Sequence, residues 1–129
     1  MTLRLPTPIF LALATLALGT GPLWAAGDDL AERAVTLLDS HCFKCHSHSA
    51  GKNKGGLVMD SLAGLTTGGD GGAALIPGDP AKSLFLRNIL STDPEVMMPP
   101  KGDRLTKEEV TLLQDWVKAG ATWPKSRTK

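Results

Sequence analysis

The sequence contains no tyrosine, few other aromatic residues and only two cysteines, and charge of one sign does not cluster anywhere along it. Its 129 residues carry 14 basic and 13 acidic side chains, which gives a formal charge of +1. Without a basic cluster, nothing in the sequence favours binding to nucleic acid or to an anionic membrane. A disulfide between Cys42 and Cys45 would close almost no loop and would constrain the unfolded chain very little. The length predicts one domain.

A long hydrophobic run is also absent, because the apolar segment Ile9–Leu18 is too short to span a membrane. Arg4 precedes this segment, and the small residues 25–27 follow it. A positive start, a short apolar stretch and a small-residue exit are typical of a secretory signal peptide. We therefore predict a signal peptide over residues 1–26 and an exported, periplasmic protein that is not membrane-bound after cleavage.

The remaining residues are predicted to form one mainly α domain over 27–124, followed by a frayed tail over 125–129. Apolar residues recur at helical spacing from Leu30 to His41, and two further helices are expected downstream. No segment alternates apolar and polar residues over the length of a strand. Fourteen glycines and nine prolines leave a thin hydrophobic core, which suggests that a bound group completes the interior.

Local signals predict where the two downstream helices begin and end. Asp79 is placed as an N-cap, with Pro80 at the first helical position, and the buried face is expected to include Leu90. Thr106 and Glu109 form a predicted capping box, and Gly120 is expected just past the end of the last helix. Residues 66–72, with glycine at positions 68, 69, 71 and 72, are predicted to be a flexible turn.

The segment Cys42-Phe43-Lys44-Cys45-His46 has the C-x-x-C-H spacing that attaches a c-type haem. At the end of a helix, the two thiols can each add to one of the two vinyl groups along one porphyrin edge. The adjacent His46 is then held beneath the iron as the proximal ligand. Covalent attachment takes place on exported chains, in agreement with the predicted leader. The motif therefore predicts one covalent haem c, bound through Cys42 and Cys45.

Three other interpretations compete with haem attachment. A thioredoxin-like thiol–disulfide site has the same cysteine spacing, but that motif normally follows a strand, whereas this one follows a helical pattern. Cys42, Cys45, His46 and His48 could form a zinc site, although four ligands within seven residues leave little chain to surround the metal. The two cysteines could also form a simple disulfide.

The second axial ligand decides between electron transfer and the binding of small molecules to iron. The candidates are Met59, Met97, Met98, His41 and His48. His48 lies too close in sequence to His46 to reach the opposite face of a porphyrin, and His41 belongs to the helix that leads into the motif. Met97 and Met98 lie in a proline-rich loop between two predicted helices. We favour Met98 over Met97, with Met59 third, and packing in the core is the competing role of each.

The order of several short motifs resembles the planctomycete-type cytochrome c domain, a branch of the class I cytochrome c fold. The matching segments are the C-x-x-C-H motif, Lys54-Gly55-Gly56-Leu57, Pro77-Gly78-Asp79-Pro80 with Ser83, Leu84 and Arg87, Met98-Pro99-Pro100-Lys101-Gly102, Leu105-Thr106, and Trp116 through Gly120-Ala121 to Trp123-Pro124. The resemblance implies three to four helices wrapped around one covalently bound haem. It further implies that His46 is the proximal ligand and Met98 the distal ligand, although Met97 makes a double methionine at this position.

These observations predict an electron carrier rather than an enzyme: a monohaem c-type cytochrome that passes single electrons between redox protein partners. The alternatives are a small-ligand sensor or peroxidase-like protein with a labile sixth ligand, and a thiol–disulfide or zinc module without haem. Arg87 could pair with a haem propionate, although an exposed helix arginine without that role is the more ordinary interpretation. Trp116 is expected to pack against the haem or the first helix.

Overall fold

The computed structural model describes residues 23–51 and 53–128, which are mainly helical. No strand occurs in these residues, where a single bridge pairs Gly69 with Gly72, and the predicted mainly α class is confirmed. The α-helices are α1 (Leu23–His41), α2 (Leu62–Thr67), α3 (Leu84–Leu90) and α4 (Lys107–Lys118), and turns of 3-10 helix cover His48–Ala50, Lys54–Gly56 and Lys125–Arg127.

Helix α1 begins earlier than the apolar periodicity indicates. It starts at Leu23, ahead of the apolar stripe that begins at Leu30, so Asp28 and Asp29 lie in its second turn. Alanines at positions 25 and 26 favour helix, and the single Gly27 costs only about 1 kcal/mol. Residues 1–22 of the predicted signal peptide lie outside the described residues. Among the helices that the structure does describe, none combines the length and apolar character needed to cross a bilayer.

The core lies where α4 packs against both α1 and α3. The protein therefore has a contiguous hydrophobic interior of its own, which the composition alone did not lead us to expect. Cys42 and Phe43 are partly buried against the edge of this cluster. Its buried apolar members in the described chain are Ala31, Ala34, Val35, Leu38, Met59, Leu65, Ala74, Leu75, Phe85, Leu86, Ile89, Leu113, Trp116, Val117 and Ala121.

Helix α3 begins four residues later than predicted. Asp79 does cap a turn, since its carboxylate accepts the Lys82 amide at 3.0 Å, but the helix starts at Leu84. The reason is the fully buried Ser83, whose hydroxyl donates to the Asp79 carbonyl at 2.9 Å and accepts the Ile76 amide at 3.0 Å. These contacts hold Ser83 in an extended conformation and interrupt the helix.

The predicted buried face of α3 is wrong at its end. Leu90 is 55% exposed, whereas Leu86 is buried. The residues of this short helix that pack inward are Phe85, Leu86 and Ile89.

Both predicted ends of α4 are confirmed. The Thr106 hydroxyl accepts the Glu109 amide at 3.2 Å, and the Glu109 carboxylate accepts the Thr106 amide at 2.8 Å. At the other end, Gly120 has φ +102° and its amide donates to the Val117 carbonyl, while the Ala121 amide donates to the Trp116 carbonyl at 2.9 Å. This pair of hydrogen bonds is a Schellman motif, in which the glycine supplies the left-handed residue.

Residues 68–72 form a compact turn in place of the expected flexible one. The Gly69 amide donates to the Gly72 carbonyl at 3.2 Å, and the Gly72 amide donates back to Gly69 at 2.9 Å. A Cβ atom on Gly69 would lie 2.1 Å from the Gly55 carbonyl oxygen. Glycine is therefore required at position 69 by the close approach of two backbone segments.

Two residues of the tail that was predicted to be frayed, Ser126 and Arg127, contact α1. Arg127 contacts the Asp39 carboxylate at 2.9 Å and the Glu32 carboxylate at 3.3 Å. The Ser126 hydroxyl also donates to Glu32, at 2.6 Å. These partners lie about ninety residues upstream, so no local sequence pattern indicates them.

Candidate functional site

The C-x-x-C-H residues are wound into a helical turn that continues directly from α1. The Cys42 and Phe43 amides both donate to the Leu38 carbonyl, at 2.8 and 3.2 Å. The Cys42 carbonyl in turn accepts the Cys45 amide at 3.1 Å and the His46 amide at 2.9 Å. This winding brings the two cysteines to the spacing of one helical turn and places His46 immediately after them.

The two thiols are not joined to each other. Burial, and to a smaller extent the neighbouring Cys45 thiol, together raise the pKa of the Cys42 thiol to about 11. Thiol–disulfide enzymes need the opposite, an attacking cysteine whose pKa is lowered to between about 3.5 and 7.5. The electrostatics of this turn therefore disfavour the thiol–disulfide interpretation.

His46 provides the observation that tests whether these residues suit a haem iron. Its Nδ1 atom is buried and has no hydrogen-bond partner, the one such side-chain atom found in the described chain. A buried polar atom without a partner is costly in a folded protein. The ring is thus not engaged in the protein's own hydrogen-bond network, and a histidine in this state is available to a metal. Together with two adjacent thiols, the donor set fits a covalently bound haem.

The backbone of His46 is held by a hydrogen bond from Met59, which lies just before α2. The Met59 amide donates to the His46 carbonyl at 2.7 Å, and the Met59 side chain is only 3% exposed. Met59 therefore lies beside the His46 backbone and fills the core, which supports the packing role for it.

Met97 and Met98 lie in the loop between α3 and α4, as predicted. The Met98 amide donates to the Asn88 carbonyl in α3 at 3.0 Å, and the Met97 amide donates to the Asp93 carbonyl at 2.8 Å. Both side chains are partly buried, and the Met98–Pro99 peptide is cis. No hydrogen bond between described residues joins this loop to the Cys42–His46 turn. The choice between the two methionines stays a prediction.

The two remaining histidines have carboxylate neighbours. His41 Nε2 lies 3.6 Å from Glu109 Oε1, at the junction of α1 and α4. His48 is exposed, and its Nδ1 lies 2.7 Å from Asp60 Oδ1, while its amide donates to Asp60 Oδ2 at 3.1 Å. The pairing of His48 with Asp60 engages the ring that the zinc interpretation would need. No group of three or more histidine, cysteine or acidic side chains able to hold a metal ion occurs in the part of the chain described.

Arg87 and Trp116, the other two residues with predicted roles, lie in different environments. Arg87 is exposed on α3 and forms no ion pair or side-chain hydrogen bond with a described residue. Trp116 is 1% exposed, and its indole N–H donates to the Thr122 carbonyl at 2.8 Å. Its ring centroid lies 6.4 Å from that of Trp123. Trp116 is thus fully accounted for by the core, while the propionate role of Arg87 stays a prediction.

Sequence reasoning missed Arg104. Its guanidinium donates to the carbonyls of Ile89 and Ser91, the second at 2.8 Å, at the C-terminus of α3. A cation at the carbonyl end of a helix is favourable, but its partners lie 15 and 13 residues away in sequence. No local pattern could have identified this contact.

Comparison with known proteins agrees with the motifs. Residues 42–102 match the family model described as planctomycete cytochrome C. No curated protein and no solved structure matches the chain. The matched range begins at the first cysteine of the C-x-x-C-H turn and includes both loop methionines, while α1 and α4 lie outside it. The match to this family over residues 42–102 agrees with the resemblance that the order of the motifs indicated.

Proposed function

We propose that this protein is an exported monohaem c-type cytochrome that carries single electrons between redox proteins. The family indicates a haem c-type electron carrier. The observation that carries the proposal is the Cys42–His46 turn, in which two unpaired thiols precede a histidine whose buried nitrogen has no partner. One haem follows from the cysteine count, because two cysteines supply only one such motif.

Two segments of the chain would hold the haem: the Cys42–His46 turn and the loop that contains Met98. Cys42 and Cys45 would form the thioether links, His46 would be the proximal ligand, and Met98 would be the distal ligand. When bound, the haem iron supplies one-electron oxidation and reduction. A soft thioether from Met98 favours the ferrous state and predicts a relatively high reduction potential. Because both axial positions would be filled by the chain, the protein would transfer electrons without binding a substrate at the iron.

Covalent attachment is tested by producing the protein together with a haem-maturation system and staining a denaturing gel for haem. Only a covalently bound group stays with the chain after denaturation, so a stained band of the expected size supports the proposal. The Cys42→Ser, Cys45→Ser double variant is the control and should not stain. An unstained native chain of normal yield would contradict the proposal and favour a module without haem.

The distal ligand is tested with a pair of neighbouring variants. We expect Met98→Ala to abolish the far-red charge-transfer band of the ferric protein that reports methionine ligation. Met97→Ala is the matched control and should keep the band, because it removes a side chain of the same size from the adjacent position. The reverse result would move the ligand to Met97, and loss of the band only in Met59→Ala would assign it to the core methionine.

Binding of carbon monoxide distinguishes an electron carrier from a small-ligand sensor. With Met98 bound, the reduced protein should bind carbon monoxide slowly, and Met98→Ala should bind it quickly. Equally fast binding in both proteins would mean that the sixth position is open, in favour of a sensor or peroxidase-like protein.

Export and partner choice follow from the leader and from the charge. Removal of residues 1–26 takes away Arg4 alone among the charged residues and leaves 13 basic (14 − 1) against 13 acidic side chains. A neutral chain has little long-range attraction for a charged partner. We therefore expect electron exchange with partner proteins to depend weakly on ionic strength, and the mature protein to occur in the periplasmic fraction.

A further inference from the structure

We infer that Arg104 positions the distal methionine, by fixing the far end of the Met97–Met98 loop to the C-terminus of α3. This inference rests on the proposed function, because it concerns the segment that would supply the sixth ligand. Arg104 does not contact the site itself. It acts through the backbone of the loop, whose start, middle and end are all attached to one place on α3.

The start and the middle of the loop meet at a single carbonyl group. The Asn88 carbonyl accepts the Ser91 amide at 3.3 Å and the Met98 amide at 3.0 Å. Between these points the Asp93 carbonyl accepts the Met97 amide at 2.8 Å, and the Asp93 carboxylate accepts the Glu95 amide at 3.0 Å. Met98 is thus attached to α3 through its own amide, ten residues along the chain from its acceptor.

The end of the loop is attached by Arg104. Its guanidinium donates to the Ile89 and Ser91 carbonyls on either side of the helix end. One planar guanidinium can donate to two carbonyls at once in a fixed geometry. A lysine ammonium group holds two carbonyls less well. After Arg104 the chain continues into Leu105, which packs against the core, and Thr106, which caps α4. The C-terminal end of the loop is therefore held by Arg104, and α4 begins immediately after it.

Loss of this attachment should free the loop without removing any atom of the ligand. A hydrogen bond from a charged donor contributes roughly a tenfold factor or more to an opening equilibrium. We expect Arg104→Gln to raise the rate at which added imidazole displaces the distal ligand of the ferric protein by about tenfold or more. Arg104→Lys should lie between this variant and the native protein, because it keeps the charge and loses the fork.

Lys101→Gln is the matched control for charge. Lys101 lies in the same loop, is exposed, and forms no hydrogen bond or ion pair with the residues described. It therefore loses the same charge without losing an attachment. Imidazole displacement in Lys101→Gln should match that of the native protein. Equal acceleration in Lys101→Gln and Arg104→Gln would overturn the inference, because a charge effect would then explain the result.

Hydrogen exchange of the haem-loaded protein separates positioning from general stabilisation. In Arg104→Gln the Met98 amide should exchange about tenfold faster or more, relative to the amide of the buried Leu113 in α4. If both amides accelerate by the same factor, Arg104 only stabilises the whole fold and the inference is wrong.

The far-red band distinguishes failure of this inference from failure of the proposed function. If the native protein shows the band and Arg104→Gln is unchanged in both imidazole displacement and Met98 exchange, only the role of Arg104 is refuted. If the native protein lacks the band, methionine ligation itself is wrong, and the role of Arg104 falls with it.

Discussion

The capping box of α4 allows a stability prediction in which two identical substitutions have opposite effects. Thr106 caps α4 and Thr111 lies within it, and both residues are exposed. Their hydroxyls form different kinds of hydrogen bond. The Thr106 hydroxyl accepts an amide that has no partner within the helix, that of Glu109 at 3.2 Å. The Thr111 hydroxyl donates to the Lys107 carbonyl at 2.8 Å. This carbonyl lies within α4 and can accept a backbone amide of the helix without the hydroxyl.

The expected magnitudes follow from these contacts. Thr106→Ala should lower the free energy of unfolding by about 1 kcal/mol, the typical cost of losing an N-cap. The loss should affect the whole protein, because α4 contributes Leu113, Trp116 and Val117 to the core. Thr111→Ala should raise stability by a few tenths of a kcal/mol (on the order of 0.3), since alanine is the better helix former and the back-bond to the preceding turn contributes little.

Urea unfolding of the haem-loaded proteins, followed by far-UV circular dichroism at neutral pH, measures both effects. For a domain of this size a loss of 1 kcal/mol corresponds to a decrease of about 4–8 °C in Tm, so a thermal scan is an independent check. If Thr106→Ala and Thr111→Ala shift the urea midpoint in the same direction and by the same amount, the hydroxyl of Thr106 does not cap α4 and the reasoning fails.

Two further predictions concern the glycine turn and the tail. Gly69→Ala should destabilise the protein by about 2 kcal/mol or more, because the added Cβ would lie 2.1 Å from the Gly55 carbonyl oxygen. Gly72→Ala is the control: no atom lies within 4 Å of its added Cβ, so it should cost about 1 kcal/mol. Similar unfolding midpoints for the two variants would contradict this prediction. Hydrogen bonding from Ser126, and then from Arg127, lowers the pKa of Glu32, so attachment of the tail stabilises the protein above the ordinary pKa of Glu32 and this contribution is lost as the pH falls through the lowered value. Glu32→Gln should therefore flatten the acid limb of the stability profile, and an unchanged limb would refute the assignment.

Local chemistry made part of this fold predictable. The capping box and the Schellman glycine of α4 involve residues three to five positions apart, and the sequence identified both correctly. The same chemistry misled at Asp79, which caps a turn as it would cap a helix. What ends that turn is the buried hydroxyl of Ser83, whose bonds to Ile76 and Asp79 depend on how the chain folds back on itself.

The candidate site divides in the same way. The Cys42–His46 turn is a continuous segment, so spacing alone indicated which residues act together. The contact that joins the loop between α3 and α4 to the end of α3 is made instead by Arg104, whose acceptors lie 13 and 15 residues upstream. The pairing of His48 with Asp60 is likewise a contact between two loops. Polar contacts of this kind have no periodicity, and single-sequence reasoning therefore has no signal from which to predict them.

The hydrogen bond from the Met59 amide to the His46 carbonyl has a practical consequence for engineering. This hydrogen bond closes the loop of residues 47–58 at its base, so the loop can change length without moving His46. Doubling the length of a flexible loop adds only about 0.6 kcal/mol of closure entropy. Gly51 has open space around it, which makes it a suitable position for inserting a reporter peptide or an electrode-binding tag close to the Cys42–His46 turn while His46 stays in place.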